Sequence, residues 1–397
     1  MLDFLYYAPT EIFFGPDSES HLVSALKKHN ASRLMLHYGG GSAVRSGLIP
    51  RIRQTLENAG IEYVEAGGVK PNPRLSLVRE CIKMAREHRV DMILAVGGGS
   101  VIDSAKAIAY GACLPPDGPD VWSVYSGKTV PEKALPIGVV LTIPAAGSEM
   151  SNSSVITNDT DGNLKVGYNN NLVRPAFAIL NPRLTFTLPP YQTACGVVDI
   201  IMHTFERYFG RNADQPLTDA LAEALVRKVM EYGPVAVREP ENYTARAVIM
   251  WSASLSHNDV TGDRTGGDWA SHKLEHELSG MWDVAHGAGL AVTWPAWACF
   301  ALPHRPERCR QFLRNVLDVK DADSIEHPAE DLAARMSAFF SSLDMPATIS
   351  QMIGRKATEE EISTMADRVS AHDTVKVGRV VPIGHREAAL IYHNMNL

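Results

Sequence analysis

The sequence has few cysteines, no long apolar run and no excess of basic residues. Its five cysteines are scattered and form no CxxC pair, which argues against a disulfide framework or a thiolate metal site. No apolar run approaches the roughly 20 residues of a membrane-spanning helix. With 38 basic and 45 acidic residues the net charge is −7, which argues against a general binder of nucleic acid or of membrane surfaces.

The N-terminal stretch, MLDFLYYAPTEIFFG, lacks the basic start, apolar core and small-residue cleavage site of a secretory signal. Few, unpaired cysteines also fit a reducing compartment, so we expect a cytoplasmic protein. Hydrophobic residues make up 45% and charged residues 21%, which is typical of a globular protein. A chain of 397 residues suits two domains.

Up to about residue 188, short β-rich runs alternate with amphipathic stretches. This alternation predicts an α/β domain with a mainly parallel sheet. The predicted strands are 33–38, 61–66, 92–97, 137–143 and 177–180.

The pattern changes at the Pro189–Pro190 pair, after which strand-like runs almost disappear. We therefore predict an α/β dinucleotide-binding domain over 1–188 and an all-α domain over 189–397. The predicted helices of the second domain are approximately 191–209, 215–232, 241–257, 268–280, 288–300, 329–343 and 357–371.

A glycine-rich turn in AVGGGSVIDSAKAIA, residues 95–109, joins a buried strand to a helix. Glycines let the backbone approach a phosphate, and a helix N-terminus offers free N–H groups and partial positive charge. Ser100 is predicted to cap this helix. The segment is neither GxGxxG, because Ile102 replaces the last glycine, nor a P-loop. It predicts a phosphate-binding turn, with a tight turn that binds no ligand as the alternative.

A second glycine cluster follows the strand that ends at Tyr38. In dinucleotide sites an acidic residue after the second strand usually binds the adenosine ribose, and this cluster contains no carboxylate. Ser42 and nearby Arg45 suit a 2′-phosphate instead, which favours NADP(H) over NAD, unless Arg45 is only a solvated surface cation.

A third segment, 141–157, is rich in small and hydroxyl residues. This composition suits a loop that lies along a cofactor, and it is equally consistent with a simple turn.

Asp199 and His203 lie four residues apart in GVVDIIMHTFERY, residues 196–208. On a helix they share one face, about 6 Å apart along the axis, so both can bind one metal. Their neighbours are apolar, and an unpaired carboxylate among them is costly. The alternative is a buried Asp–His pair that only stabilises the helix.

Three histidines, His272, His276 and His286, lie in ASHKLEHELSGMWDVAH, residues 270–286. The zinc-protease motif HExxH fails here because Gly280 stands where the second histidine is required. On one straight helix His272 and His286 would be about 21 Å apart. They can share a metal only if the chain turns back between them, for which Gly280 and Gly287 are suitable.

Asp199, His203, His272 and one further histidine would form a site with one oxygen and three nitrogen ligands. Such a set suits a borderline divalent ion such as Fe²⁺ or Zn²⁺. The spacing alone leaves open whether His276 or His286 is the last ligand.

The motifs GGGSxxD, DxxxH and HxxxHxxxxxxxxxH, in this order, resemble the iron-containing (group III) alcohol dehydrogenases. Within that family the chain is similar to the branch of NADPH-dependent butanol dehydrogenases and aldehyde reductases. The resemblance runs from FGPDSESHLVSAL to DWASHKLEHELSGMWDVAHGAGLA and so covers essentially the whole chain. It implies a dehydroquinate synthase-like fold, in which the helical domain binds the metal and carries catalysis.

The resemblance also implies roles for individual residues. His276 corresponds to a histidine that lines the site without binding the metal, and we expect it to handle the proton. The implied metal ligands are Asp199, His203, His272 and His286. The implied cofactor-binding residues are Gly39, Gly40, Gly41, Ser42, Gly97, Gly98, Gly99, Ser100, Asp103, Thr142 and Lys165.

The expected reaction transfers hydride between NADP(H), with NAD as the alternative, and a small aldehyde or primary alcohol. We expect a homodimer that binds neither nucleic acid nor membrane. One alternative is a metal- and NAD-dependent lyase similar to dehydroquinate synthase, whose anionic substrate would need basic residues that 196–300 hardly offers. Others are an NAD-preferring diol or lactaldehyde oxidoreductase and a non-catalytic metal- or nucleotide-binding protein.

Overall fold

The computed structural model describes residues 5–210, 215–262 and 266–397. The chain forms two compact units, Ala8–Thr187 and Leu188–Leu397, and residues 5–7 belong to the second. The division after Thr187 lies next to the predicted boundary, whereas residues 5–7 were expected in the first domain.

A six-stranded parallel sheet in the order β1-β8-β5-β4-β2-β3 forms the centre of the first unit. Its strands are β1 (Glu11–Phe14), β2 (Arg33–Gly39), β3 (Glu62–Val69), β4 (Met92–Gly97), β5 (Ile137–Leu141) and β8 (Phe177–Leu180). β4 and β5 are buried at every position, which explains why their sequences are apolar on both faces. The predicted parallel α/β fold is confirmed.

An antiparallel hairpin of β6 (Ser153–Asn158) and β7 (Leu164–Asn169) completes the strands of this unit. The sequence did not predict this hairpin or β1, because β1 is only partly buried, unlike the equally short β8, and the hairpin is rich in serine and asparagine. The helices of the first unit are α1 (Leu22–Lys28), α2 (Ser42–Arg45), α3 (Leu48–Asn58), α4 (Leu75–Glu87), α5 (Gly99–Cys113) and α6 (Trp122–Tyr125).

The second unit is helical, as predicted. Its helices are α7 (Pro190–Gly210), α8 (Pro216–Arg238), α9 (Tyr243–Ser256), α10 (Ala270–Trp282), α11 (His286–Ala301), α12 (Pro306–Asn315), α13 (Pro328–Ser341), α14 (Ile349–Ile353), α15 (Glu359–Val369) and α16 (His385–Met395). The predictions omitted α12, α14 and α16. Among the described residues, every helix is too short or too polar to cross a membrane.

α7 lies at the centre of the second unit and is buried along most of its length. Its aromatic residues Phe205 and Phe209 pack against Trp294 of α11, with ring centroids 4.7 and 6.0 Å apart. α11 approaches α7 closely because Gly287 has no side chain: a Cβ there would overlap the backbone of Cys195. The polar residues on α7 are therefore held inside a packed apolar core.

Candidate active site

The first glycine turn connects β4 to α5 at the carboxyl edge of the sheet. A Cβ on Gly98 would lie 2.8 Å from the Cβ of Ile143, so the turn is packed too tightly for a larger residue. Gly98 is the N-cap residue of α5, and Ser100 lies within the first turn. The prediction that Ser100 caps this helix is therefore wrong, because the cap lies two residues earlier, at Gly98.

The second glycine turn lies beside the first, because it follows β2, which pairs in parallel with β4. Both turns are at the carboxyl ends of adjacent strands, where open α/β sheets bind their ligands. Ser42 and Arg45 are exposed. The Arg45 guanidinium folds over the turn, since a Cβ on Gly41 would lie 2.5 Å from Arg45 Nη1.

The Asp103 side chain faces the segment after β5. Its carboxylate accepts hydrogen bonds from Ser148 Oγ at 2.6 Å and from the Val155 N–H at 3.0 Å. Burial raises the pKa of Asp103, and the nearby Lys106 ammonium opposes this effect. Asp103 therefore anchors residues 148–155, and its contact with a cofactor stays a prediction.

Lys106, one turn further along α5, was not singled out from the sequence. Its buried ammonium donates to the carbonyl oxygens of Ser148, Ser151 and Ser153 at 2.8, 3.0 and 2.7 Å, and to Ser148 Oγ at 2.9 Å. Burial lowers its pKa to about 8, against the opposing effect of Asp103 and Glu149. A lysine within the apolar run AKAIA was the available signal, because a buried cation needs partners.

Two other predicted cofactor-binding residues lie in the same unit. Thr142 follows β5, and its N–H donates to the Gly97 carbonyl at 3.0 Å, so it adjoins the first glycine turn. Lys165 is buried in β7, opposite Thr157 of β6. The ammonium of Lys165 is close enough to lower the pKa of Asp103 slightly against burial.

The predicted metal ligands lie on three helices of the second unit: Asp199 and His203 on α7, His272 on α10, and His286 at the start of α11. The predicted chain reversal is confirmed, because α10 ends at Trp282 and the His272 and His286 rings are 5.3 Å apart. Asp283, in the left-handed conformation with φ 52°, follows the last residue of α10. Neither glycine proposed for the turn forms it: Gly280 lies within α10 and Gly287 within α11.

The four side chains converge on the Asp199 carboxylate. Asp199 Oδ1 is 3.2 Å from His203 Nδ1 and 3.8 Å from Nε2 of both His272 and His286. Asp199, His272 and His286 each offer one ligand atom within 4.8 Å of the others. His203 lies alongside, and its Nδ1 is also 3.0 Å from the Asp199 carbonyl oxygen. His286, rather than His276, thus joins Asp199 and His272.

Two buried polar atoms of this histidine–carboxylate cluster have no hydrogen-bond partner among the described residues: Asp199 Oδ1 and His272 Nε2. Unpaired polar atoms in a core cost free energy, so their presence indicates that a ligand completes the site. A carboxylate oxygen and imidazole nitrogens are ligands for Fe²⁺ and Zn²⁺. The residues present therefore fit a divalent metal ion.

The electrostatics of the site also favour a cation. Burial lowers the pKa of His203 to about 4, against the opposing effect of Asp199. Burial also tends to lower the pKa of His272, but the carboxylates of Asp199 and Glu206 outweigh it and raise this pKa to about 9. For Asp199, burial is outweighed by the neighbouring histidines, which hold its pKa well below the usual range.

Two buried glutamates complete the surroundings of the histidines, and the sequence interpretation missed both. Glu206 on α7 accepts a hydrogen bond from His272 Nδ1 at 2.8 Å, and Glu275 on α10 accepts one from His286 Nδ1. Glu206 lies three residues after His203 and Glu275 three after His272, so each shares a helix face with a predicted ligand. Acidic residues at such spacing in an apolar context were the available signal.

His276 lies at the more accessible side of the cluster. It is half-buried on α10, whereas His272 and Asp199 are buried, and its ring centroid is 5.8 Å from that of His286. This position allows the imidazole to reach both the site and solvent.

Comparison with known proteins identifies relatives along nearly the whole chain. A family model described as iron-containing alcohol dehydrogenase matches residues 9–182, and one for the C-terminal part of that family matches 193–395. The probable NADH-dependent butanol dehydrogenase 1 of Bacillus subtilis (strain 168) is 39% identical over 375 residues, which are 94% of this chain and 95% of the relative. The NADPH-dependent aldehyde reductase YqhD of Escherichia coli (strain K12) is 36% identical over 352 residues, 88% and 89% of the two chains.

A solved structure agrees with these matches. The crystal structure of NADH-dependent butanol dehydrogenase A from Thermotoga maritima has a TM-score of 0.93 and 34% identity to this chain, covering 100% of this chain and 99% of that chain. An α/β unit with glycine turns and a helical unit with a histidine–carboxylate cluster define a nicotinamide-linked, metal-dependent dehydrogenase. The chain belongs to the iron-containing alcohol dehydrogenase family.

Family membership confirms the predicted resemblance and the predicted class of enzyme, an NAD(P)-dependent alcohol dehydrogenase. It favours the dehydrogenase over both the lyase and the non-catalytic binding protein. The family description names iron, and the names of the relatives include both NADH and NADPH.

Proposed function

We propose that this protein reduces small aldehydes to primary alcohols with NADPH, and catalyses the reverse oxidation, at a divalent metal held by Asp199, His203, His272 and His286. The observation that carries the proposal is a pair of buried atoms, Asp199 Oδ1 and His272 Nε2, that have no hydrogen-bond partner within the part of the chain that the structure describes. Both belong to a set of side chains whose chemistry suits Fe²⁺ or Zn²⁺.

The metal, when bound, would polarise a carbonyl, and the nicotinamide would carry the hydride. The chain's own residues bind and orient these groups. The glycine turns after β2 and β4 lie at the carboxyl ends of adjacent strands, where a helix N-terminus favours a phosphate, and Thr142 adjoins the turn after β4. Three helices bring the four proposed ligands together in a buried core, which excludes water from their inner side.

The test is a metal-analysed preparation assayed with NADPH and NADH against a panel of small aldehydes that includes butanal. Net oxidation of NADPH with butanal, in proportion to bound metal, would support the proposal. Turnover that consumes no net NADPH would point to the lyase. Full turnover in metal-stripped protein would contradict the metal assignment.

We propose His276 as the group that moves the proton at the substrate oxygen, because its imidazole lies beside His286 and reaches solvent. Replacing His276 with glutamine should leave metal content unchanged and lower kcat by roughly 10²–10⁴-fold, the usual contribution of a general acid–base group. His393→Gln, an exposed histidine on α16, is the control. If metal occupancy fell together with activity in His276→Gln, His276 would be a ligand instead.

The preference for NADPH rests on Ser42 and Arg45 beside the second glycine turn. We expect Arg45→Ala to lower kcat/KM for NADPH by about tenfold, the equivalent of one lost charge-assisted contact, and to leave kcat/KM for NADH unchanged. Arg51→Ala, which removes another exposed arginine nearby in the chain, should change neither value. Equal effects of Arg45→Ala on both cofactors would refute the 2′-phosphate assignment.

We further propose that the protein is a cytoplasmic homodimer. All five cysteines are free, which fits a reducing compartment. β1 is an edge strand, and edge strands readily pair with another chain. Analytical ultracentrifugation of the purified protein would test the dimer.

A further inference from the structure

We infer that Glu206 and Glu275 are positioning residues that set the metal affinity of this protein without touching the ion. Each holds one ring nitrogen of a ligand histidine, so that the other nitrogen faces Asp199. This inference rests on the proposed function, since it presumes that His272 and His286 bind a metal.

Glu206 is a residue of α7, and its buried carboxylate accepts hydrogen bonds from residues at the start of α10. Its Oε2 accepts from the Trp269 N–H at 2.5 Å, and its Oε1 accepts from Ser271 Oγ, the His272 N–H and His272 Nδ1 at 2.7, 3.0 and 2.8 Å. One side chain of α7 thus binds the first residues of α10 and the His272 ring together. The ring cannot rotate without breaking this set.

Glu275 does the same for His286. Its two oxygens accept hydrogen bonds from His286 Nδ1 and from Ser279 Oγ. Gly289 on α11 makes room for it, because a Cβ there would lie 2.6 Å from Glu275 Oε1. Glu275 is completely buried, so its carboxylate has a fixed place against α11.

The hydrogen bonds determine which nitrogen can bind a metal. A neutral imidazole has one N–H and one lone pair, so Nδ1–H bound to a carboxylate leaves the lone pair on Nε2. In both rings Nε2 lies 3.8 Å from Asp199 Oδ1. A carboxylate behind a ligand histidine also increases the donor strength of the ring and adds charge that attracts a cation.

The arrangement links the three ligand-bearing helices in sequence. Glu206 on α7 holds the histidine of α10, and Glu275 on α10 holds the histidine of α11. Neither glutamate shares a helix with the histidine that it orients. Loss of either one should therefore disturb one ligand and leave the other in place.

The experiment measures Zn²⁺ affinity of the metal-stripped protein by competition with a chelator. Glu206→Gln should weaken binding by roughly 10–100-fold. Glutamine replaces one of the two carboxylate oxygens with an NH2 group. In one orientation this NH2 would face the Trp269 N–H, and in the other it would face the His272 N–H, so one donor would always meet another donor. Glu275→Leu should have an effect of the same size. Glu275→Gln should recover part of this loss, since its carbonyl can still accept from His286 and its amide can donate to Ser279.

Two further variants separate positioning from general damage to the fold. Gly289→Ala keeps every carboxylate and ligand but displaces Glu275, so it should also weaken Zn²⁺ binding. Glu223→Gln changes a buried glutamate of α8 that bonds Tyr208 and Asn315, and it should leave the affinity within about threefold of the unmodified protein. If Glu206→Gln fails to fold, Glu275→Leu and Gly289→Ala decide the question.

A spectroscopic readout tests the mechanism independently of affinity. In the Zn²⁺-loaded protein, the Nδ1–H protons of His272 and His286 should be protected from exchange and visible in ¹⁵N-edited proton spectra. Glu275→Leu should remove the His286 signal alone. The inference would be overturned if Glu206→Gln, Glu275→Leu and Gly289→Ala all bound Zn²⁺ with an affinity within about threefold of that of the unmodified protein. Failure of the unmodified protein to bind Zn²⁺ would instead overturn the proposed metal site itself.

Discussion

Replacing His272 with alanine will abolish both metal binding and aldehyde reduction. His272 Nε2 is buried and has no hydrogen-bond partner in the described ranges, and the His272 ring lies between those of His203 and His286, so its loss removes the central member of the proposed ligand set. The loss of affinity should exceed the roughly 10–100-fold typical of residues outside the ligand set. Turnover should fall to background. Metal analysis after dialysis and a butanal assay with NADPH measure the two effects.

Lys273→Ala is the matched control for this variant. It changes the next residue of α10, which is exposed, and should leave metal content and turnover unchanged. A His272→Ala protein that kept full metal content and activity would show that the ligand assignment is wrong.

The second large effect is expected on stability. Lys106→Met should lower the free energy of unfolding by about 3–5 kcal/mol, the usual cost of removing one partner from a buried charged network. The ammonium binds three carbonyl oxygens and lies near the Asp103 carboxylate, all of which would lose their cation. A methionine of similar length fills the space but donates no hydrogen bond.

Urea unfolding measures this loss, and Lys83→Met provides the comparison. Lys83 is exposed on α4 and makes only a surface pair with Glu87 at 3.8 Å, so its removal should cost less than about 0.5 kcal/mol. A change of under about 1 kcal/mol in Lys106→Met would mean that the segment after β5 is held by other contacts.

Hydrophobic periodicity predicted most of the architecture. β4 and α7 were recognised because burial demands apolar residues on nearly every face of these elements. β1, β6 and β7 were missed because a four-residue edge strand and a polar hairpin depend on pairing with distant segments rather than on their own composition. Helix α12 was missed although its apolar residues Cys309, Phe312 and Leu313 are buried.

Within the site, local spacing and tertiary packing contributed different information. The i, i+4 spacing of Asp199 and His203 placed both on one face of α7, since helix geometry alone determines that relation. The segment between His272 and His286 was recognised as one that must reverse direction. The residue at the reversal, Asp283, was not foreseen, because a left-handed conformation is available to aspartate as well as to glycine.

The sequence by itself determined the class of this protein: an alternating α/β half, a helical half, glycine turns after strands and a metal-type set of ligands. These follow from short-range periodicity and residue chemistry. Only the tertiary structure showed that His286 rather than His276 lies within reach of Asp199 and His272, and that Glu206, Glu275 and Lys106 form buried hydrogen bonds with distant segments. The physical reason is that a buried charged group is stable only with its partners, and those partners come from helices and strands distant in the chain.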